Sequence, residues 1–175
     1  MALTSFGAFF FRFVQLDFQL PIRFKLKYVN AENKEEVPVI VHRAIMGSFE
    51  RMMAILTEHF AAKWPLWMSP RQVTVVPINS QGPVADYAEH VRRAFHGAHF
   101  FAEADLRDMT MQKKVRDAQL NQVNYILVVG DKERENGTVN VRTRANKVKG
   151  EHSIEDVIAV LSKERDEKKL ESMFP

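Results

Sequence analysis

The sequence predicts an α/β fold: a three-layer domain with a mixed sheet and about three helices over residues 72–172, a linker over 63–71, and a separate strand-rich segment over 1–62. Three observations carry this reading. Tyr125-Ile-Leu-Val-Val129 is an unbroken apolar run of strand length, the mark of a strand covered on both faces. Val84, Tyr87, Ala88, Val91 and Phe95 recur at helical spacing behind Pro83, which suits the first turn of a helix. Between that domain and the first segment, Trp64-Pro-Leu-Trp-Met-Ser-Pro70 is punctuated by proline as a linker is.

In chain order, Val14–Phe18, Phe24–Val29 and Val37–Val41 read as strands, with the polar Asn30-Ala-Glu-Asn-Lys-Glu-Glu36 as the turn between the last two. Gly47 opens a connection to an amphipathic helix carrying Met52, Ile55, Leu56, His59 and Phe60, and the Ser48 hydroxyl stands where it caps that helix. Trp64 and Trp67 are expected to pack the second domain onto the first rather than to bind a ligand. The second domain then reads as strand 72–78, helix 83–97 stopped at Gly97, strand 100–105, helix 111–122 and strand 125–129. A seven-residue loop, a hairpin strand over 137–144 and a helix capped by Ser153, with Ile154, Val157, Ile158 and Leu161 inward, complete it.

A length of 175 residues accommodates one domain and an appendage, and a hydrophobic content of 46% suffices for a packed core. The absence of cysteine excludes a disulfide framework and any thiolate metal site. The phenylalanine-rich opening, Met1–Phe13, is shorter than the ~20 apolar residues of a membrane-crossing helix and has no basic leader, so no membrane role is expected. Net charge is +3, unevenly placed: residues 107–149 carry ten basic and five acidic side chains, and 150–175 carry four and seven. A local basic surface of this kind fits a polyanion, and equally a solvated face.

The chain is organised around Pro38-Val-Ile-Val-His-Arg-Ala-Ile-Met-Gly-Ser-Phe-Glu-Arg51, in which a strand runs through a short turn into a helix. Ser48 and Arg51, three residues apart at that helix start, make a seat for phosphate. His42 to Arg51 resembles the third signature motif of the class II aminoacyl-tRNA synthetases, in the form carried by threonyl-tRNA synthetases. Gln15-Leu-Asp-Phe18 and Leu20-Pro-Ile-Arg-Phe24 resemble the last strands of that catalytic domain. Lys63–Val73, Gly130-Asp-Lys-Glu133 and Val141-Arg-Thr-Arg144 resemble the anticodon-binding domain, so the likeness runs from about Val14 to the end of the chain. Nothing resembles the first two motifs or the editing region. The expectation is therefore the tail of a synthetase: a remnant of an antiparallel class II catalytic domain, then an anticodon-binding domain. Phe11-Arg-Phe13 stands where the family has a Cys-Gly-Thr-like stretch, and residues 1–13 read as an alternative or mispredicted start, such as retained intron sequence.

The resemblance also implies roles. Arg51, Ser48 and Gln15 fall in the ATP and substrate pocket, and His42 falls on one of three zinc ligands, a lone remnant not expected to bind metal by itself. Glu133 and Arg142 fall on anticodon-reading positions, and Lys114 and Arg116 on the helix that supports the anticodon loop. The residues of 138–144 make their own contribution. Val139, Val141 and Thr143 share one strand face, and Asn140, Arg142 and Arg144 share the other, a row of amide and guanidinium groups suited to bases and phosphates.

The function implied is that of a threonine–tRNA ligase C-terminal part, binding the tRNA-Thr anticodon arm in the cytoplasm, or alternatively in the mitochondrion, with the isolated chain not catalytic. ATP, Mg2+ and Zn2+ belong to the full-length family, and none is expected in the isolated chain. That family is homodimeric, and unpaired strand edges in the first segment favour self-association of this chain as well. Two alternatives stay open: a non-catalytic RNA- or protein-interaction module, and the anticodon-binding domain of a sister enzyme for proline, glycine or histidine.

Overall fold

The structure is a computed structural model that describes residues 2–4, 7–9, 13–145 and 147–174, with side chains from Val14 onward. The side chains of the opening phenylalanines, Phe6 to Phe13, lie outside the described residues. The chain divides into two units, Met1–Ala62 and Lys63–Pro175.

In the first unit, β1 (Ala2–Thr4) and β2 (Gly7–Phe9) pair antiparallel, as do β3 (Phe13–Asp17) and β6 (Ile40–Ala44). Between β3 and β6 lie α1 (Gln19–Arg23) and a small hairpin of β4 (Tyr28–Val29) and β5 (Glu35–Glu36). The expected strand over 24–29 shrinks to two residues, and Gln19–Arg23, which shows no helical apolar pattern, is helical. Asp17 explains the helix: its Oδ1 accepts from the backbone N–H groups of Gln19 at 2.8 Å and Leu20 at 2.9 Å, satisfying donors that a first turn leaves free. Helix α2 (Phe49–Phe60) begins where Ser48 Oγ accepts from the Arg51 amide at 3.3 Å, and it ends at Ala61 in the left-handed region, φ 47°. Burial is sparse in this unit. Val14, Leu16 and Val41 share one face of the β3–β6 pair and are 66%, 56% and 59% exposed, and α2 buries no residue fully.

The second unit is a five-stranded mixed sheet. β7 (Val73–Pro77) runs parallel to β8 (Ala102–Ala104) and β9 (Tyr125–Val129), while β10 (Thr138–Thr143) is antiparallel to both β9 and β11 (Val148–Ser153), in the order β11-β10-β9-β7-β8. Helices α3 (Pro83–Gly97) and α6 (Ile154–Asp166) pack on one face against Val73, Val75, Leu127, Val129, Val139 and Val141. On the other face, α4 (Met111–Leu120) covers Val76, Ile126 and Val128 with Val115 and Ala118. These are the three layers that the sequence predicts, and Phe95 and Leu161, both fully buried, each contribute about 1.5–3 kcal/mol by burial.

Three elements differ from expectation. The seven-residue loop after β9 contains α5 (Asp131–Asn136), closed by Gly137 at φ 70°. β11 is a full strand, but Val-Lys-Gly-Glu-His-Ser carries no apolar alternation by which to read it. The linker is not loose: Leu66 heads a 3-10 turn, is 1% exposed, and its carbonyl accepts from Gln72 Nε2 at 2.9 Å. Leu66 is thus the buried anchor, inside the second unit, while Trp67 is 37% exposed and Trp64 offers its carbonyl to Asn124 Nδ2 and Arg144. The tail after α6 folds back as a strap. Its Phe174 is buried with ring centroids 5.6 Å from both Tyr125 and His152, and the Tyr125 hydroxyl donates to the buried Glu164 carboxylate at 2.6 Å.

Candidate nucleic-acid interface

Alternation along β10 sets the interface. Val139 and Val141 turn into the core beneath α3 and α6, and Thr143 continues their side of the strand at its end, which leaves Asn140 and Arg142 on the opposite face, half-buried. The register sets Asn140 beside Val128 on β9 and Glu151 on β11, and Arg142 beside Ile126. Asn140 Oδ1 and Arg142 Nε are both shut off from solvent, and neither has a hydrogen-bond partner among the described residues. An acceptor and a donor left without partners, two residues apart on one strand face, are groups of the kind that pair with a base edge.

Glu151 completes this face. Its Oε1 accepts from Thr138 Oγ1 at 2.5 Å and from Asn136 Nδ2 at 3.1 Å, and its Oε2 lies 3.5 Å from Lys132 Nζ. The hydrogen bond from Thr138 first, and then that from Asn136, holds its carboxyl below the usual carboxylate range. The sequence gives no signal for this residue, because it lies on the strand that could not be read.

Glu133 is the third residue of α5, and its Oε2 accepts from the Gly130 N–H at 3.0 Å. That bond fixes the carboxylate at the helix start, on the segment that joins β9 to β10. Gly130 leaves that turn uncrowded: a Cβ would stand 2.6 Å from Ile78 Cδ1 and 3.1 Å from Glu133 Oε2, so the ends of both side chains would have to shift to admit one.

Two of the expected contacts belong elsewhere. Arg144 does not continue the row, because the strand has ended; its NH1 donates to the Trp64 carbonyl at 3.0 Å. Lys114 is fully buried, with Nζ 2.7 Å from Ser80 Oγ and 3.4 Å from the Pro77 carbonyl, so it is not part of an exposed basic surface. Burial pushes its pKa below the usual lysine value. Arg116, two residues on along α4, is exposed.

In the first unit, Gln15 and His42 stand opposite each other across β3 and β6. His42 Nε2 lies 3.1 Å from Asp17 Oδ2, so the ring is engaged by a carboxylate. The hydrogen bond from the Leu20 amide is the largest of the influences that hold Asp17 below the usual carboxylate range. Among the described residues no three His, Asp or Glu side chains gather where they could hold a metal ion. Ser48 and Arg51 sit at the start of α2, with the Ser48 hydroxyl engaged by the Arg51 amide and the Arg51 side chain exposed.

A mixed-sheet α/β domain that carries an amide and a guanidinium on one strand face, and a carboxylate fixed at a helix start on the segment leading into that strand, has the form of an anticodon-binding domain. Residues 72–164, more than half of the chain, match the anticodon binding domain family, and the chain belongs to it. Residues 4–60 match the tRNA synthetase class II core domain (G, H, P, S and T). The similarity extends to particular enzymes. Threonine–tRNA ligase 1, cytoplasmic, of Mus musculus is 58% identical over 148 residues, which cover 83% of this chain and 20% of that protein. The Homo sapiens protein of the same name is 56% identical over 166 residues, covering 92% and 22%. The chain thus spans about a fifth of the length of the curated relatives it matches. The crystal structure of the RNA binding domain of threonyl-tRNA synthetase from Cryptosporidium parvum Iowa II superposes with a TM-score of 0.75 at 38% identity, covering 93% of this chain and 39% of that one.

Proposed function

We propose that the second unit binds the anticodon arm of tRNA-Thr in threonyl-tRNA synthesis and reads anticodon bases with Arg142, Asn140 and Glu133. One observation carries this reading: Asn140 Oδ1 and Arg142 Nε, two residues apart on one face of β10, are desolvated without partners, a cost that a bound base relieves. Glu133 adds an acceptor already fixed in orientation, which lowers the entropy lost on binding. The names of the relatives favour the cytoplasm as the place of action. No part of this reading requires ATP, Mg2+ or Zn2+. The exposed apolar face of Val14, Leu16 and Val41 supports self-association of the chain, in keeping with a dimeric enzyme.

Fluorescence anisotropy with the tRNA-Thr anticodon stem-loop, and with stem-loops altered at one anticodon base, tests the proposal. Arg142→Ala should reduce discrimination by about 1–3 kcal/mol, the worth of one bidentate base contact, while non-specific binding to phosphates persists. Undiminished discrimination in Arg142→Ala and Glu133→Ala alike would overturn it.

A further inference from the structure

The displaced Arg144 leads to a second site. At the end of the sheet where β9 begins and β10 ends, a cleft of about 430 Å³ opens between the β10–β11 turn and the C-terminal strap. Asn124, Tyr125, Thr143, Arg144, Lys147 and Phe174 are among its walls. We propose that this cleft is a ribonucleotide subsite, separate from the reading row, that takes a phosphate on Arg144 and Thr143 and a ribose 2′-hydroxyl on Asn124. The proposal rests on the reading of this unit as an RNA-binding domain and adds a contact at the other end of β9 from Glu133.

Three observations define the ligand. Asn124 and Thr143 are each only 8% exposed, and Asn124 Oδ1 and Thr143 Oγ1 have no hydrogen-bond partner among the described residues. Asn124 Nδ2 is held by the Trp64 carbonyl at 2.9 Å, so the amide cannot turn over to change which atom is left open. The open Oδ1 requires a donor, and the Thr143 hydroxyl serves an anionic oxygen as donor. Arg144 supplies the charge. One guanidinium nitrogen donates to the Trp64 carbonyl, and among the described residues no carboxylate lies within ion-pair distance of it. A partly buried cation without a counter-charge is costly, and an external anion removes that cost.

The carboxylates nearby are otherwise engaged or peripheral. Glu164 Oε2 accepts from the Tyr125 hydroxyl and from the Met173 N–H at 2.9 Å, and Glu171 is exposed. Lys147 is exposed at the rim and adds a second positive charge. The ligand must therefore carry an anion and a hydroxyl donor together, within the ~300–1,000 Å³ range of small-molecule pockets. A ribonucleotide has both, a deoxyribonucleotide lacks the hydroxyl, and inorganic phosphate lacks the sugar.

Titration of the full chain with adenosine 5′-monophosphate, its 2′-deoxy analogue and inorganic phosphate, followed by amide chemical shifts, tests this. The ribonucleotide should move the amides of Asn124 and residues 143–147 saturably and bind about tenfold tighter than the deoxy analogue, the loss of one buried hydrogen bond. Thr143→Val, of the same shape but without the hydroxyl, should weaken the ribonucleotide by about tenfold with the remaining spectrum unchanged. Lys147→Ala should weaken all three ligands with no effect on folding. Adding the anticodon stem-loop then identifies the source. Displacement of the mononucleotide means that an RNA nucleotide fills the cleft, and simultaneous binding means that a free nucleotide does; both support the subsite. Unmoved amides, or equal binding of the ribo and deoxy forms that ignores Thr143→Val, would overturn it. Failure of the anticodon reading shows separately, as Arg142→Ala without loss of discrimination, and leaves the cleft result standing.

Discussion

Lys114→Met separates a buried structural lysine from an RNA contact. Methionine keeps an unbranched apolar stem in the fully buried site and deletes the ammonium. The 2.7 Å hydrogen bond to Ser80 Oγ is lost, and a bond from a charged donor is worth about 1.5–3 kcal/mol. Ser80 still donates to the Arg107 carbonyl at 2.7 Å, so it is not left without a partner, and relief from burying a charge offsets part of the loss. The net expectation is a destabilisation of about 1 kcal/mol, read as a lower urea midpoint with an unchanged slope. Burial lowers the Lys114 pKa in the folded state, against the pull of Asp105. The unfolded chain therefore holds that proton to higher pH, so this group's contribution to stability rises with pH towards the alkaline range, and the gap between parent and variant widens there. Stem-loop affinity and its salt dependence should not change, whereas Arg116→Ala, on the exposed side of α4, should reduce the salt slope by about one. A Lys114→Met protein as stable as the parent, with weaker RNA binding and a flatter salt slope, would refute the reasoning and return Lys114 to the RNA surface.

Two further outcomes follow from the same structure. Arg92 donates to both carboxylate oxygens of Glu89, at 2.8 and 2.6 Å, and these hydrogen bonds hold the Glu89 pKa down at about 2 against an ordinary 4.5. Stability from this pair is full above pH 4.5 and is lost as pH falls towards 2, so acid denaturation of Arg92→Ala should show a shallower limb across that window than the parent. The full chain should self-associate in sedimentation velocity through the exposed Val14, Leu16 and Val41 face, whereas a polypeptide beginning at Lys63 should sediment as a monomer and keep RNA binding. A start at Ser69 is less favourable, because it removes the buried Leu66 and the Trp64 carbonyl that holds Asn124 and Arg144. A monomeric full chain would remove the basis for the first statement.

Legibility in the sequence followed burial. The run at 125–129, the helix face of Val84 to Phe95 and the Ser153 cap were readable because period and capping chemistry are local, and each stands where the sequence predicts it. The alternation of β10 likewise sorted Val139 and Val141 from Asn140 and Arg142. What failed was set by partners distant in the chain. β11 is a strand because β10 offers it an edge, and α1 depends on one carboxylate before it, not on an apolar face. Arg144 obeys the alternation on paper, yet the strand stops one residue earlier and the Trp64 carbonyl, eighty residues back, takes its guanidinium. Lys114 looks like any basic residue on a polar helix; only the packed sheet shows that it points inward to Ser80. The motif resemblance located Glu133, but not the backbone bond that orients it.

That bond has a consequence for how natural variants of this chain are interpreted. Glu133 is aimed by the amide of Gly130, and any side chain at 130 meets Ile78 and the Glu133 carboxylate at once. A change as small as Gly130→Ala therefore crowds the carboxylate proposed to read the anticodon, without altering it, and pushes against the Ile78 terminal methyl. In a saturation screen scored on anticodon discrimination, position 130 should show a defect of the same kind as position 133, although a glycine has no side chain to offer a base. A larger Ile78 substitute should reproduce the defect from a third position, and trimming Ile78 to valine should partly rescue Gly130→Ala. On the proposed reading, the fidelity of the domain is in this sense held in a turn, three residues before the side chain that expresses it.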